Sequence, residues 1–147
     1  MASTITVAVE GNPFLDGNKD VAKIVVDWVS HTDGTVSNAI LTNLNSGKHY
    51  SAPAPGKIRG KIVKVETAPG ASGDLTTDLP DSYALTLLDS YSLDVLGGSG
   101  AARSASAAEP LVPSLPVAVD SDLTVTITGA GSANKGRIII WVDPMEV

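Results

Sequence analysis

The sequence predicts an all-β protein, an antiparallel β-sandwich or jelly roll of about eight short strands with extended loops or arms. Three observations predict it. Apolar residues recur with a period of two in many short stretches. No long segment carries apolar residues at helical spacing. Finally, 14 Gly and 9 Pro punctuate the chain, which suits frequent turns between short strands.

The elements follow in order. "STITVAVE" (3–10) alternates Ile5, Val7 and Val9 with Thr4, Thr6 and Ala8. "AKIVVDWVS" (22–30) sets Ile24, Val26 and Trp28 on one face. "GTVSNAILTNL" (34–44) follows the turn His31-Thr32-Asp33-Gly34. "KIRGKIVKVETA" (57–68) is a long strand with a bulge expected near Gly60. "SYALTLLD" (82–89) and "SLDVL" (92–96) read as a hairpin pair. "LVPSLPVAV" (111–119) contains Pro113 and Pro116 and is assigned to a sheet edge or an extended arm. "DLTVTITG" (122–129) has Leu123, Val125 and Ile127 facing one way and three Thr the other, as in a half-buried strand. "RIIIWVD" (137–143) is β-branched and apolar on both faces, so it is expected to be a central strand covered on both sides. With the turn "GAGSANKG" between them, residues 122–143 read as a terminal hairpin.

The 147 residues fit one domain, 1–147, with 97–116 as a Gly/Ala/Ser/Pro-rich loop or arm. The hydrophobic content of 43% is too high for a disordered chain. Aromatics make up only 4%, so the core must be built from Val, Ile, Leu and Ala. Such a core is expected to be thin and completed by neighbouring subunits. The absence of Cys excludes disulfide frameworks, thiol nucleophiles and Cys-based metal sites. "MASTITVAVEG" lacks the basic and apolar regions of a secretory signal. The longest apolar run, Ile138 to Val142, is too short to cross a bilayer. Neither a membrane nor a nucleic acid is expected as a partner. The net charge of −6 argues against the latter, since phosphate backbones are bound mainly through cations. Charge is also uneven. Residues 1–65 carry seven Lys/Arg against five Asp/Glu, and residues 66–147 carry three against eleven, balances of +2 and −8.

Motifs for chemistry are lacking. "GGSGAARSAS" has no Walker-type Lys, and Pro110, Pro113 and Pro116 follow it where a dinucleotide loop needs a helix. His31 and His49 lie in polar loops without a metal-ligating set around them. Asp74, Asp78, Asp81, Asp89 and Asp94 lack calcium-loop spacing. No nucleophile elbow is present. The protein is therefore read as a non-enzyme with no cofactor or metal. One constellation stands out: Lys57, Arg59 and Lys61 at i, i+2 and i+4 of a strand share one face. Lys64 falls on the opposite face unless a bulge intervenes. The stripe is a solvated sheet face, a charged edge that blocks strand pairing, or a docking face for an acidic surface. Arg103, the only cation of "LDVLGGSGAARSASAAEP", is the other candidate protein contact.

"LPDSYALTLLDSYSLDVLGGSGAARS" (79–104) resembles a pattern in small virion proteins of tailed bacteriophages. In these, a strand with Tyr and alternating apolar residues leads through a tight turn to an Asp-apolar-Leu-Gly-Gly segment and an Arg. "GAGSANKGRIIIWVD" (129–143) is similar to their final hairpin, where a Gly-Arg pair opens an apolar last strand. The resemblance covers residues 57–68 and 79–143. It implies a capsid cement or decoration protein, a small β-sandwich or jelly roll that clamps capsomers from outside the head. Made in the host cytoplasm, it would reside on the virion as a homo-oligomer, a dimer or trimer, bound to the major capsid protein or other virion proteins. The 97–116 arm would then lie along a neighbour, its small side chains allowing close backbone approach. Other expected classes are a tail or head–tail connector subunit and a carbohydrate-binding β-sandwich module. The last would need exposed aromatics, and both Trp fall in strands predicted to be core.

Overall fold

A computed structural model describes residues 3–10, 22–41, 58–70, 83–104, 107–111, 117–121 and 123–143. These residues are all-β, with antiparallel pairing throughout and no helix. Nine strands are formed: β1 (Thr4–Glu10), β2 (Ala22–Val29), β3 (Val36–Leu41), β4 (Ile58–Pro69), β5 (Ala84–Leu88), β6 (Glu109–Leu111), β7 (Val117–Ser121), β8 (Leu123–Thr128) and β9 (Lys135–Asp143). One sheet has the order β1-β2-β9-β4-β6, with β7 also on β4. The other is β3-β8-β5. Inward side chains of both sheets form one cluster, including Ile24, Val26 and Trp28 of β2, Ile62 and Val65 of β4, and Ile138, Ile140 and Val142 of β9. Leu85 and Leu87 of β5 and Leu123, Val125 and Ile127 of β8 complete it from the opposite side.

The period-two pattern explains which faces are buried. β8 alternates buried Leu123, Val125 and Ile127 with half-buried Thr124 and Thr126, and β2 buries Ile24, Val26 and Trp28. Because aromatics are scarce, the branched aliphatics do most of the filling, with Trp28 and Tyr83 as the largest pieces. Their rings lie 5.6 Å apart and tilted by 56°. Gly136 of β9 makes room for Trp28, since a Cβ there would sit 2.1 Å from the indole ring. The next residue, Arg137, grips Asp27 of β2 through Nε at 2.7 Å and Nη2 at 3.0 Å. The Gly-Arg pair of the final strand therefore seats the core indole on one face and clamps β9 to β2 on the other.

Several expectations are corrected. β8 and β9 do not form a hairpin. They belong to different sheets, and residues 129–134 cross between them. The β2–β3 connection makes the reverse crossing alongside, and the two turns are stitched together. Ser30 Oγ donates to the Gly131 carbonyl at 2.6 Å and accepts from the Asn134 N–H at 2.9 Å. Ser30 N–H donates to Asn134 O, and Ala130 N–H to Gly34 O. Groups that could have closed a β8–β9 hairpin are thus paired to the β2–β3 turn. Ser30→Ala would leave the Asn134 N–H and Gly131 carbonyl short of a partner, at a cost of about 1–3 kcal/mol. A melting temperature several degrees lower is expected, and an unchanged one would contradict the stitch.

β9 is central, between β2 and β4, but the second sheet closes only one of its faces. Gly136, Ile138, Ile140 and Val142 are buried, while Arg137, Ile139 and Trp141 are half-buried. Trp141 is therefore not in the core. The bulge in β4 lies between Ile62 and Lys64, not near Gly60. It sits where the far edge of β4 changes partner, from β7 along Ile58–Ile62 to β6 along Val65–Thr67. Residues 92–96 form no strand beyond a single Leu88–Asp94 bridge. The β-structure expected over 111–119 is instead found as β6 and β7, with 112–116 outside the described residues.

Candidate interaction surface

The Gly-rich stretch is wound tightly rather than extended. The Asp94 carboxylate organises it. Oδ1 accepts from the N–H groups of Leu87 and Leu96, both at 3.1 Å, and Oδ2 from Gly98 N–H at 2.9 Å. Gly97 and Gly98 take φ of 60° and 84°, and Ala102 takes 55°, left-handed values that Gly adopts without steric cost. The coil is fastened along the edge of β5. Leu85 N–H donates to Gly100 O at 2.9 Å, and Arg103 N–H to Tyr83 O at 2.8 Å. At Gly100 a Cβ would lie 2.1 Å from the Leu85 carbonyl oxygen. Of the two expected alternatives, loop or arm, residues 97–104 are a loop that lies along β5 of its own chain. Its Leu96 and Gly98 N–H groups face the chain's own carboxylate, so they are not an anion cradle.

The turn before it presents an apolar tip. Asp89 Oδ1 accepts from the N–H groups of Tyr91, at 2.8 Å, and Leu93, at 3.0 Å. Asp89 N–H donates to Leu93 O, and Ser92 N–H to Asp89 O. Ser92 holds a left-handed φ of 63°. On this braced turn Tyr91 is 86% exposed and Leu93 65% exposed, the large hydrophobic side chains left outside among the described residues. A fixed backbone lowers the entropy lost when such side chains dock. The sequence signal was the Tyr within a polar "DSYS" turn, where an aromatic has no core to enter.

Of the basic candidates, Arg59 and Lys61 stand two residues apart in β4, along its regular pairing with β7. Lys57 lies outside the described residues. Arg59 is in register with Asp120 of β7. Lys61 is exposed, opposite Ala118 on one side and Asp143 on the other. Because of the bulge, Lys64 comes to the same face as Lys61. Its Nζ lies 4.7 Å over the Trp141 ring and 3.5 Å from Glu66 Oε2. Lys23 of β2 is in register with Trp141 from the other side, so the open face of the sheet has a Lys-Trp-Lys row. Arg103 is mostly covered: its side chain is 12% exposed, with Nη2 3.8 Å from Glu109 Oε2.

His31 belongs to the turn that joins β2 and β3. Asp33 Oδ1 accepts from Thr35 Oγ1 at 2.6 Å and Thr35 N–H at 3.0 Å, and lies 3.3 Å from His31 Nδ1. The Thr35 hydrogen bonds foremost, with His31 beside them, hold the Asp33 carboxyl below its ordinary range. Among the described residues no group of three His, Asp or Glu could hold a metal ion. His49 lies outside them. No protein-family model matches the chain, and no curated protein or solved structure matches it either.

Proposed function

We propose that the chain is a virion structural protein of a tailed bacteriophage, a β-sandwich cement subunit that binds the outside of the head as a homo-oligomer. The observation that carries the reading is the braced tip with Tyr91 and Leu93 held outward. It falls inside the 79–104 run that resembles small virion proteins. The single side-chain cluster shared by two antiparallel sheets supports the sandwich. In this reading the tip enters an apolar recess on the major capsid protein, and Lys61 with its strand neighbours adds a weaker electrostatic contact. The carbohydrate-module reading would depend on Trp141, but Lys64 lies over the ring where a sugar would stack.

The two contacts differ in size and in salt dependence. Burying two large apolar side chains contributes about 1.5–3 kcal/mol each. Exposed ion pairs contribute about 0–1 kcal/mol each and are screened over about 8 Å at physiological ionic strength. The test measures occupancy of heads stripped of the protein. Tyr91→Ser/Leu93→Ser is expected to weaken binding by a factor of about 100 or more at any salt. Lys57→Ser/Arg59→Ser/Lys61→Ser should weaken it modestly at low salt and not at high salt. Repetition over many copies amplifies both losses. Wild-type protein that does not bind heads overturns the proposal. Ring assembly of the purified protein would point to a connector subunit.

A further inference from the structure

At one end of the core the two sheets meet through polar side chains. Thr67 of β4 is in register with Glu109 of β6. Tyr83, just before β5, is bridged to Arg103 through the backbone. Tyr83 and Thr67 are each only 1% exposed. Glu109 Oε1 accepts from Ser104 N–H, and its Oε2 faces Arg103 Nη2. The remaining polar atoms are buried without a protein partner: Tyr83 OH, Thr67 Oγ1, Arg103 Nε and Arg103 Nη1. Trp28 Nε1, on the ring packed against Tyr83, is another. Burial pushes the Tyr83 phenol above its ordinary value, and the nearby Thr67 hydroxyl and Arg103 guanidinium pull it back. The Thr67 and Tyr83 hydroxyls are thus neighbours, although they do not meet hydrogen-bond geometry.

The chemistry of these atoms defines what they require. The two hydroxyls can donate or accept, but the Arg and Trp N–H groups can only donate. Leaving so many donors unpaired would be a large fraction of a domain's net stability. The guest must therefore accept hydrogen bonds. Glu109 already balances the charge of Arg103, so an anion would add an uncompensated negative charge to a buried place. A neutral acceptor fits, and buried waters bridge two to four such groups. We propose that Thr67, Tyr83 and Arg103 enclose a closed hydration site. One or more ordered waters accept from the Arg103 donors and bridge to the two hydroxyls, tying one sheet to the other.

The test combines wild-type observation with a variant. In an atomic-resolution crystal structure and by water–protein NMR cross-relaxation, wild type is expected to show long-lived water at Arg103 Nε or Nη1. Tyr83→Phe/Thr67→Val should lower the melting temperature by several degrees, equally in chloride and gluconate at matched ionic strength. A dry cluster gives the opposite sign: removing orphaned hydroxyls leaves the melting temperature unchanged or raises it, and the proposal fails. It also fails if Arg103 is found turned into solvent. A melting temperature that tracks halide concentration, with bromide at Arg103 in anomalous maps, would replace water by an anion and overturn it. Should the variant not fold, the wild-type water measurements decide alone.

Discussion

Ile140→Asp should abolish folding. Ile140 is fully buried (0% exposed) in the middle of β9, in register with Ile24 of β2 and Val65 of β4, both of which are also buried. The substitution loses the packing of a large aliphatic side chain, about 2–5 kcal/mol by comparison with truncation to Ala. It also places a carboxylate within the apolar cluster, between Ile24 and Val65, which costs several kcal/mol more even if the group protonates. The sum reaches the whole net stability of a typical domain, about 5–15 kcal/mol. Insoluble protein, or a soluble product without a cooperative melt, is the expected result. Ile139→Asp is the matched control. That side chain lies half-buried on the opposite face of the same strand, so its variant should fold with a much smaller loss. Equal damage from both would mean that both faces of β9 are closed after all. An Ile140→Asp protein with the wild-type melting temperature would contradict the strand's placement.

Deleting Ser99 to Ala108 should destabilise the isolated domain by roughly 3–6 kcal/mol, from lost hydrogen bonds and uncovered side chains. The deletion removes the Gly100 carbonyl that accepts from Leu85 N–H and the Arg103 N–H that donates to Tyr83. It also removes the guanidinium beside Glu109 and uncovers the edge of β5 near Tyr83, Leu85 and Leu96, all buried. From composition the opposite is expected: a Gly-, Ala- and Ser-rich loop that contributes few apolar contacts and can be cut out of a folded domain. Denaturant unfolding distinguishes the two. A deletion variant with the wild-type midpoint and slope would show that the coil along β5 is a spacer.

The strands themselves were legible in the amino-acid sequence wherever a side chain's direction follows from its own pleat. Leu123, Val125 and Ile127 alternate with half-buried Thr124 and Thr126, and Ile24, Val26 and Trp28 share one buried face of β2, although Val25 between them is buried as well; the alternation is local. The role of the tip was less so, because an apolar residue next to a strand reads as core. Tyr91 and Leu93 point outward because Asp89 takes up the turn's N–H groups and Ser92 reverses the chain. What only the tertiary structure decided is where each strand goes. β8 and β9 follow each other through a good turn, yet Ser30 and Gly34, about a hundred residues earlier, bind that turn and send β9 to the other sheet. Ile139 and Trp141 are as apolar as Ile138 and Ile140, but only one face of β9 meets the second sheet. Arg103, read as a candidate protein contact, is mostly covered, with Glu109 of β6 and the Tyr83 backbone beside it. Periodicity belongs to a strand alone. Sheet membership, the buried face and the partner of a charge depend on pairings between distant residues, which no local pattern encodes.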